Sequence, residues 1–159
     1  MAVLRHLSLR DFRNYSSLEL DLSEGRIVFS GNNGQGKSNV LEAIAYLGSL
    51  GSFRGAPPEA WIGADAPAAV IRATVDRGDR ELLIEAELVR GRANRIQVNK
   101  QRLGRARDLL GMMPVTVFGP DDLELVKAGP GLRRRYLDDL LVQLHPRNAK
   151  LCAEVDKIL

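Results

Sequence analysis

The sequence predicts an α/β fold: a mixed sheet carrying one glycine-loop helix, an antiparallel meander lobe and a C-terminal helical segment. Three observations predict it. Residues 31–38 form a Gly-rich loop between the apolar run Ile27-Val28-Phe29 and an amphipathic stretch that begins at Lys37. Residues 68–102 follow a two-residue period interrupted by turn residues. Residues 131–159 follow a helical period broken once, at Pro146.

In chain order, residues 3–10 read as a strand, Asn14-Tyr15-Ser16 as its turn, and residues 17–22 as the return strand. Leu18, Leu20 and Leu22 fall on one face of that return. Ile27-Val28-Phe29 is a short strand running into the loop. From Lys37 to about Leu50 the pattern is helical, with Val40, Leu41, Ile44 and Leu47 on one face. Gly51 and Pro57-Pro58 end that region.

The meander comes next. Residues 70–75 form a strand, the sequence Arg77-Gly78-Asp79-Arg80 its turn, and residues 81–89 the return. Gly91 and Asn94 mark a second turn before Ile96-Gln97-Val98. Residues 105–111 read as helical, and Val115-Thr116-Val117-Phe118 as a short buried strand. A brief helix follows Pro120, and Gly129-Pro130 closes it. The last segment presents Leu132, Tyr136, Leu137, Leu140, Leu141 and Leu144 on one face.

Composition sets outer bounds. A chain of 159 residues is one domain or one lobe of a larger one. With 45% apolar residues and a formal net charge of +3 it has the means to fold. One cysteine, Cys152, excludes a disulfide framework. His6, His145 and Cys152 share no metal-ligand spacing. No apolar run approaches the roughly 20 residues of a membrane span, and the charged start MAVLRHLSLRDF does not read as a signal peptide. The expectation is a reduced, cytoplasmic protein with no membrane partner. Residues 72–107 hold ten cations and five acids, a local net of 10 − 5 = +5. Such a stretch is either a footprint for a polyanion or a solvated sheet face.

Chemistry is concentrated in Gly31-Asn32-Asn33-Gly34-Gln35-Gly36-Lys37-Ser38, which fits G-x-x-x-x-G-K-[ST] at every fixed position. A turn of small residues lets successive backbone N–H groups converge on one anion. The helix opening at Lys37 adds the positive end of its dipole. Lys37 supplies a point charge for the β- and γ-phosphates, and the Ser38 hydroxyl a ligand for Mg²⁺. ATP and Mg²⁺ are the implied cofactors. Hydrolysis needs more: an acid at the end of a second apolar strand. Leu82-Leu83-Ile84-Glu85 is one residue short and lies in the meander. Tyr136-Leu137-Asp138-Asp139 lies in a helix pattern. The chain thus carries half of an ATPase site, holds no catalytic residue of its own, and is expected to hydrolyse ATP negligibly.

Several segments together resemble the amino-terminal part of the RecF family of DNA replication and repair proteins. These are Leu7-x-Leu9-x-x-Phe12-Arg13-Asn14-Tyr15, GNNGQGKSNVLEAI at 31–44, and Gly51-Ser52-Phe53-Arg54. They continue with Val98-Asn99-Lys100, Val117-Phe118-x-Pro120-x-Asp122-Leu123, and Gly129-Pro130-x-x-Arg133-Arg134-Arg135-Tyr136-Leu137-Asp138. The resemblance implies a P-loop NTPase of ABC/SMC-head type. Residues 1–130 would be the N-terminal part of the ATP-binding head, and 131–159 the beginning of a helical arm. The family's Walker B strand and signature motif would lie beyond residue 159, which makes the chain an amino-terminal fragment.

The resemblance also implies roles. Residues Gly31, Asn32, Asn33, Gly34, Gln35, Gly36, Lys37 and Ser38 would hold ATP and Mg²⁺. Arg13 stands where related heads place a phosphate-contacting arginine, or else in a surface turn. Arg54 stands where SMC heads have an arginine near nucleotide and DNA. Asp121 or Asp122 would reach the metal's water shell in place of a glutamine. Arg90, Arg92, Arg95 and Arg133-Arg134-Arg135 are candidate DNA contacts; for each, a solvated face is the alternative. The implied activity is an ATP-gated homodimeric clamp at single-strand/double-strand DNA junctions. It would act in replication, recombinational repair and the SOS response, with mediator proteins that help load recombinase. Alternatives are another SMC-like head, a small-molecule P-loop kinase, against which the meander argues, and a binding module whose loop is only structural.

Overall fold

The computed structural model describes residues 2–119, 122 and 129–155. Asp121, most of the expected brief helix after Pro120 and the last four residues lie outside them.

Six strands form one sheet: β1 (Ala2–Phe12), β2 (Tyr15–Asp21), β3 (Ala68–Arg77), β4 (Arg80–Val89), β5 (Arg95–Val98) and β6 (Gln101–Arg102). Their order is β2-β1-β3-β4-β5-β6. Every named ladder is antiparallel, so only the antiparallel part of the expected mixed sheet stands among the described residues. The opening hairpin and the meander are not separate: β1 pairs with β3 along its length, from Ala2 opposite Arg77 to Arg10 opposite Val70. A bulge between Leu4 and His6 shifts this register. Arg5, the extra residue, spans it by donating from Nε to Asp76 at 2.6 Å.

Alternation along the strands builds the core. Ala69, Ile71, Ala73 and Val75 of β3 face inward with Leu7, Leu9, Ile84, Ala86 and Leu88. Each fully buried Leu or Ile contributes roughly 1.5–3 kcal/mol. Helix α1 (Lys37–Ser49) joins the same cluster through Val40, Ala43, Tyr46 and Leu47. The Tyr46 ring meets Trp61 edge-on, with centroids 4.9 Å apart. The helix face is therefore rotated from the one the periodicity predicts. Val40 and Leu47 are buried, but Leu41 is 47% exposed, because Ala43 and Tyr46 take the inner side.

Two predicted strands do not form ladders. Residues 26–30 and 114–119 carry no strand among the described residues. Val28 is 85% and Phe118 83% exposed. Apolar composition alone does not make a strand; the backbone needs a partner edge, and neither segment pairs with one among the described residues. The helix expected at 105–111 reduces to a 3-10 turn at Ala106–Leu109. Helices α2 (Pro130–Leu144) and α3 (Asn148–Val155) flank Pro146 as predicted. Leu132, Tyr136, Leu137, Leu140, Leu141 and Leu144 on α2 are all exposed rather than buried.

Candidate functional site

The Gly-rich loop precedes α1 directly. Gly31, Gly34 and Gly36 all have positive φ, at 145°, 84° and 102°. Gly36 is the N-cap of α1, and its carbonyl accepts from the N–H groups of Asn39 and Val40. Among the described residues, no backbone N–H from 31 to 38 makes a hydrogen bond of good geometry to a backbone acceptor outside the helix, although 33–34 close a turn. Donors so placed are available to a ligand. A Cβ placed on Gly34 would meet nothing within 4 Å, so the loop's mouth is open. The Lys37 ammonium folds back over the loop and donates to the carbonyls of Gly31 and Asn32, both at 2.7 Å. Gln35 covers Gly31, while Asn32, Asn33 and Ser38 line the loop around it. Backbone N–H groups, a helix N-terminus and a primary ammonium form a donor set suited to phosphate. The Ser38 hydroxyl suits a hard cation.

Gly36 is needed for a second reason. A Cβ there would lie 2.7 Å from Asn14 Oδ1 and from the Tyr15 hydroxyl. The β1–β2 turn thus presses on the loop. Gly36→Ala should lower stability by roughly 1–3 kcal/mol through combined clash and positive φ. A urea titration would show the shift, and phosphate-loop affinity should fall with it.

That turn is held tightly. Asp11 and Arg13 both have left-handed φ, 50° and 56°. The Arg13 N–H donates to Trp61 O, and the Gly63 N–H to Asp11 O, each at 2.7 Å. This conformation sends the Arg13 side chain inward to Glu42. Arg13 Nε donates to Glu42 Oε2 at 2.9 Å and Nη2 to Oε1 at 2.7 Å. Glu42 also accepts from Ser52 Oγ at 2.5 Å and from Trp61 Nε1 at 3.1 Å. It is the one buried charged side chain among the described residues. Burial alone would push its carboxyl up. The hydrogen bonds from Arg13, Ser52 and Trp61 and the Arg13 charge outweigh that and hold it below the usual carboxylate range.

A lowered folded-state value contributes stability above the unfolded carboxyl's pKa, about 4.3. That stability is lost as pH falls through the lower folded value. The gap in urea midpoint between wild type and Glu42→Gln should therefore be widest near pH 7. It should narrow as pH falls below about 4.

The remaining predicted residues scatter. Arg54 is exposed and donates from Nη1 to Asn39 Oδ1 at 3.3 Å, beside the loop. Asp122 accepts from the Gly119 N–H at 2.6 Å, and no contact among the described residues joins it to Ser38. Arg90 and Arg92 sit on the β4–β5 turn, where Arg90 Nη2 donates to Gly63 O at 3.3 Å. Arg95 lies on β5 and pairs with Glu87 at 3.4 Å. Arg72 pairs with Glu85 at 2.8 Å, so part of the local +5 is neutralised across the sheet. That pairing also places Glu85 on the sheet's outer face, away from the loop. Arg133, Arg134 and Arg135 are exposed in the first turns of α2. No ion pair joins Arg134 to Asp138 or Arg135 to Asp139 among the described residues. Burial pushes the Asp139 carboxyl up, with Arg135 opposing and Asp138 adding to the rise.

Sequence reasoning misses Glu42 and Asn39. One signal could have found the first: Glu42 stands one turn before Tyr46, on the flank where the helix meets the core.

A family description for an AAA domain matches residues 6–103. The DNA replication and repair protein RecF of Kineococcus radiotolerans is 49% identical over 154 residues, which are 97% of this chain and 39% of that protein. RecF of a Nocardioides species is 51% identical over 154 residues, 97% of this chain and 37% of that protein. The chain thus spans about two-fifths of the length of the curated relatives it matches. Among solved structures, the recombination mediator protein RecF-ATPrS in the RecFOR pathway superposes with a TM-score of 0.93 at 31% identity. The match covers 98% of this chain and 42% of that one. An SMC ATPase solved in a study of ATP-driven dimerization matches at a TM-score of 0.70 and 22% identity, over 86% of this chain and 98% of that one. That likeness speaks to the fold alone. Matched over residues 6–103 by the AAA domain description and along nearly its whole length by RecF proteins in both sequence and structure, the chain belongs to the AAA domain family and to the RecF family, of which it represents the amino-terminal part.

Proposed function

We propose that the chain is the ATP-binding part of an ATP-gated DNA clamp that acts in replication and recombinational repair. The carrying observation is the loop at 31–38: among the described residues its N–H groups make no well-formed backbone hydrogen bond outside the helix, and Lys37 lies across its mouth. The likeness to a solved RecF-ATP structure, TM-score 0.90 over 99% of this chain, supports the reading. Gly31 to Ser38 would cradle the phosphates. Ser38 would hold Mg²⁺, which supplies positive charge to the β- and γ-phosphate oxygens. Arg54 is next to the loop, whereas Arg13 is committed to Glu42 and acts on the loop through the turn.

In this reading 1–130 is part of the head and 131–159 the start of an arm. The intact protein closes as an ATP-dependent homodimer on single-strand/double-strand junctions in the cytoplasm. It meets recombination mediators, helps load recombinase and serves the SOS response. Calorimetric titration with Mg²⁺ and ATP tests the first step; absence of saturable heat would sink it.

The basic turn gives a second test. Neutralising Arg90, Arg92 and Arg95 together should weaken DNA binding for all sequences alike. The slope of log affinity against log salt should drop by about one unit for each phosphate no longer neutralised. Most of that drop should come from Arg90 and Arg92, since Arg95 already faces Glu87. Fluorescence anisotropy at several salt concentrations measures it, and an unchanged slope returns these arginines to a solvated face.

A further inference from the structure

Two residues one turn apart on α1, Asn39 and Glu42, each bind the same two outside segments. On the inner level, Glu42 accepts from Arg13 of the β1–β2 turn and from Ser52 of the loop after α1. On the outer level, Asn39 Nδ2 donates to Asn14 Oδ1 at 2.8 Å, and Asn39 Oδ1 accepts from Arg54 at 3.3 Å. Residues 13 and 14 are chain neighbours, and so nearly are 52 and 54. The Arg54 N–H donates to Ser52 Oγ at 3.1 Å, which ties the two ends of that loop together. From the outer level, Asn14 Nδ2 reaches Gly34 O in the phosphate loop at 3.4 Å.

The inner level centres on a buried charge; the outer level is solvent-facing and centres on a neutral amide. Solvent-facing hydrogen bonds to a neutral amide exchange readily with water and cannot fix a loop by themselves. A buried carboxylate with directed, charge-assisted donors can. We propose that Glu42 is a positioning residue for the nucleotide site. From inside the core it sets the Arg13–Asn14 turn and the Ser52–Arg54 loop, so that Asn14 and Arg54 meet at Asn39 against the phosphate loop. The proposal rests on the reading that this loop binds ATP.

The test is a double-mutant cycle on the intact protein, read by ATP affinity in a calorimeter and by circular dichroism. Glu42→Gln keeps the side chain's shape and removes its charge; it should weaken ATP binding about tenfold. In an Asn39→Ala background the same change should weaken it less than twofold, because the outer level through which Glu42 acts is gone. A Glu42 that only supports the fold would give the same loss in both backgrounds. Should Glu42→Gln not fold, Ser52→Ala removes one donor without stranding a charge. It should cost about threefold, again only when Asn39 is present.

Wild-type affinity in the folded variants, or losses that persist unchanged without Asn39, would overturn the proposal alone. A wild type that binds no ATP would overturn the phosphate-loop reading and the proposal with it.

Discussion

Replacing Lys37 with alanine should weaken ATP binding by about 100-fold or more while leaving the fold intact. The ammonium makes its two hydrogen bonds to carbonyls of the loop, Gly31 and Asn32, not to the core. Its removal leaves no buried group unpaired. With ATP present it would face phosphate oxygens. One or two charge-assisted bonds at roughly 1.5–3 kcal/mol each amount to about two decades in affinity. Calorimetry on the variant, with a thermal melt beside it, separates weakened binding from an unfolded chain. A folded Lys37→Ala protein with wild-type affinity would refute the assignment of the loop.

The largest effect on stability is expected from Arg13→Ala. It strips the two guanidinium bonds from a carboxylate with no solvent exposure. Removing one partner of a buried pair typically costs about 3–5 kcal/mol, because the other charge stays behind. For a chain of this size that is a fall in melting temperature of roughly 10 °C. The double variant Arg13→Ala/Glu42→Gln should recover part of the loss, since the stranded charge is gone. A melt of Arg13→Ala within about one degree of wild type would show that Glu42 finds solvent or another cation.

Much of this arrangement is legible in the sequence, and what is not has physical causes. The phosphate loop is legible because its function needs fixed residue types at fixed spacing, and the loop's N–H groups sit where the motif puts them. The hairpin and meander are legible because a half-buried antiparallel strand alternates. Residues 27–29 and 115–118 read as strands and are not, because apolar content says nothing about which edge a strand will find. The inner face of α1 is hard to read because small Ala43 and polar Glu42 stand on it, and periodicity counts only large apolar residues. Arg13 reads as a ligand contact or a surface residue. Its partner is 29 positions away, a distance over which no local pattern operates. The junction of hairpin and meander is illegible for a similar reason, since nothing in β1 or β3 announces that they pair.

That pairing has a consequence for how the protein is made. β1 lies in the sheet between β2 and β3, but β3 is synthesised only after the phosphate loop, α1 and the loop that follows. At roughly 5–20 residues per second, the hairpin waits on the order of several seconds with one edge of β1 bare. During that interval the nascent chain offers a row of free amides and carbonyls to any neighbour. Helix α1 emerges in the same window with no completed sheet to lie on. Translation that stalls before Arg77 leaves a species ready to pair with its own copies.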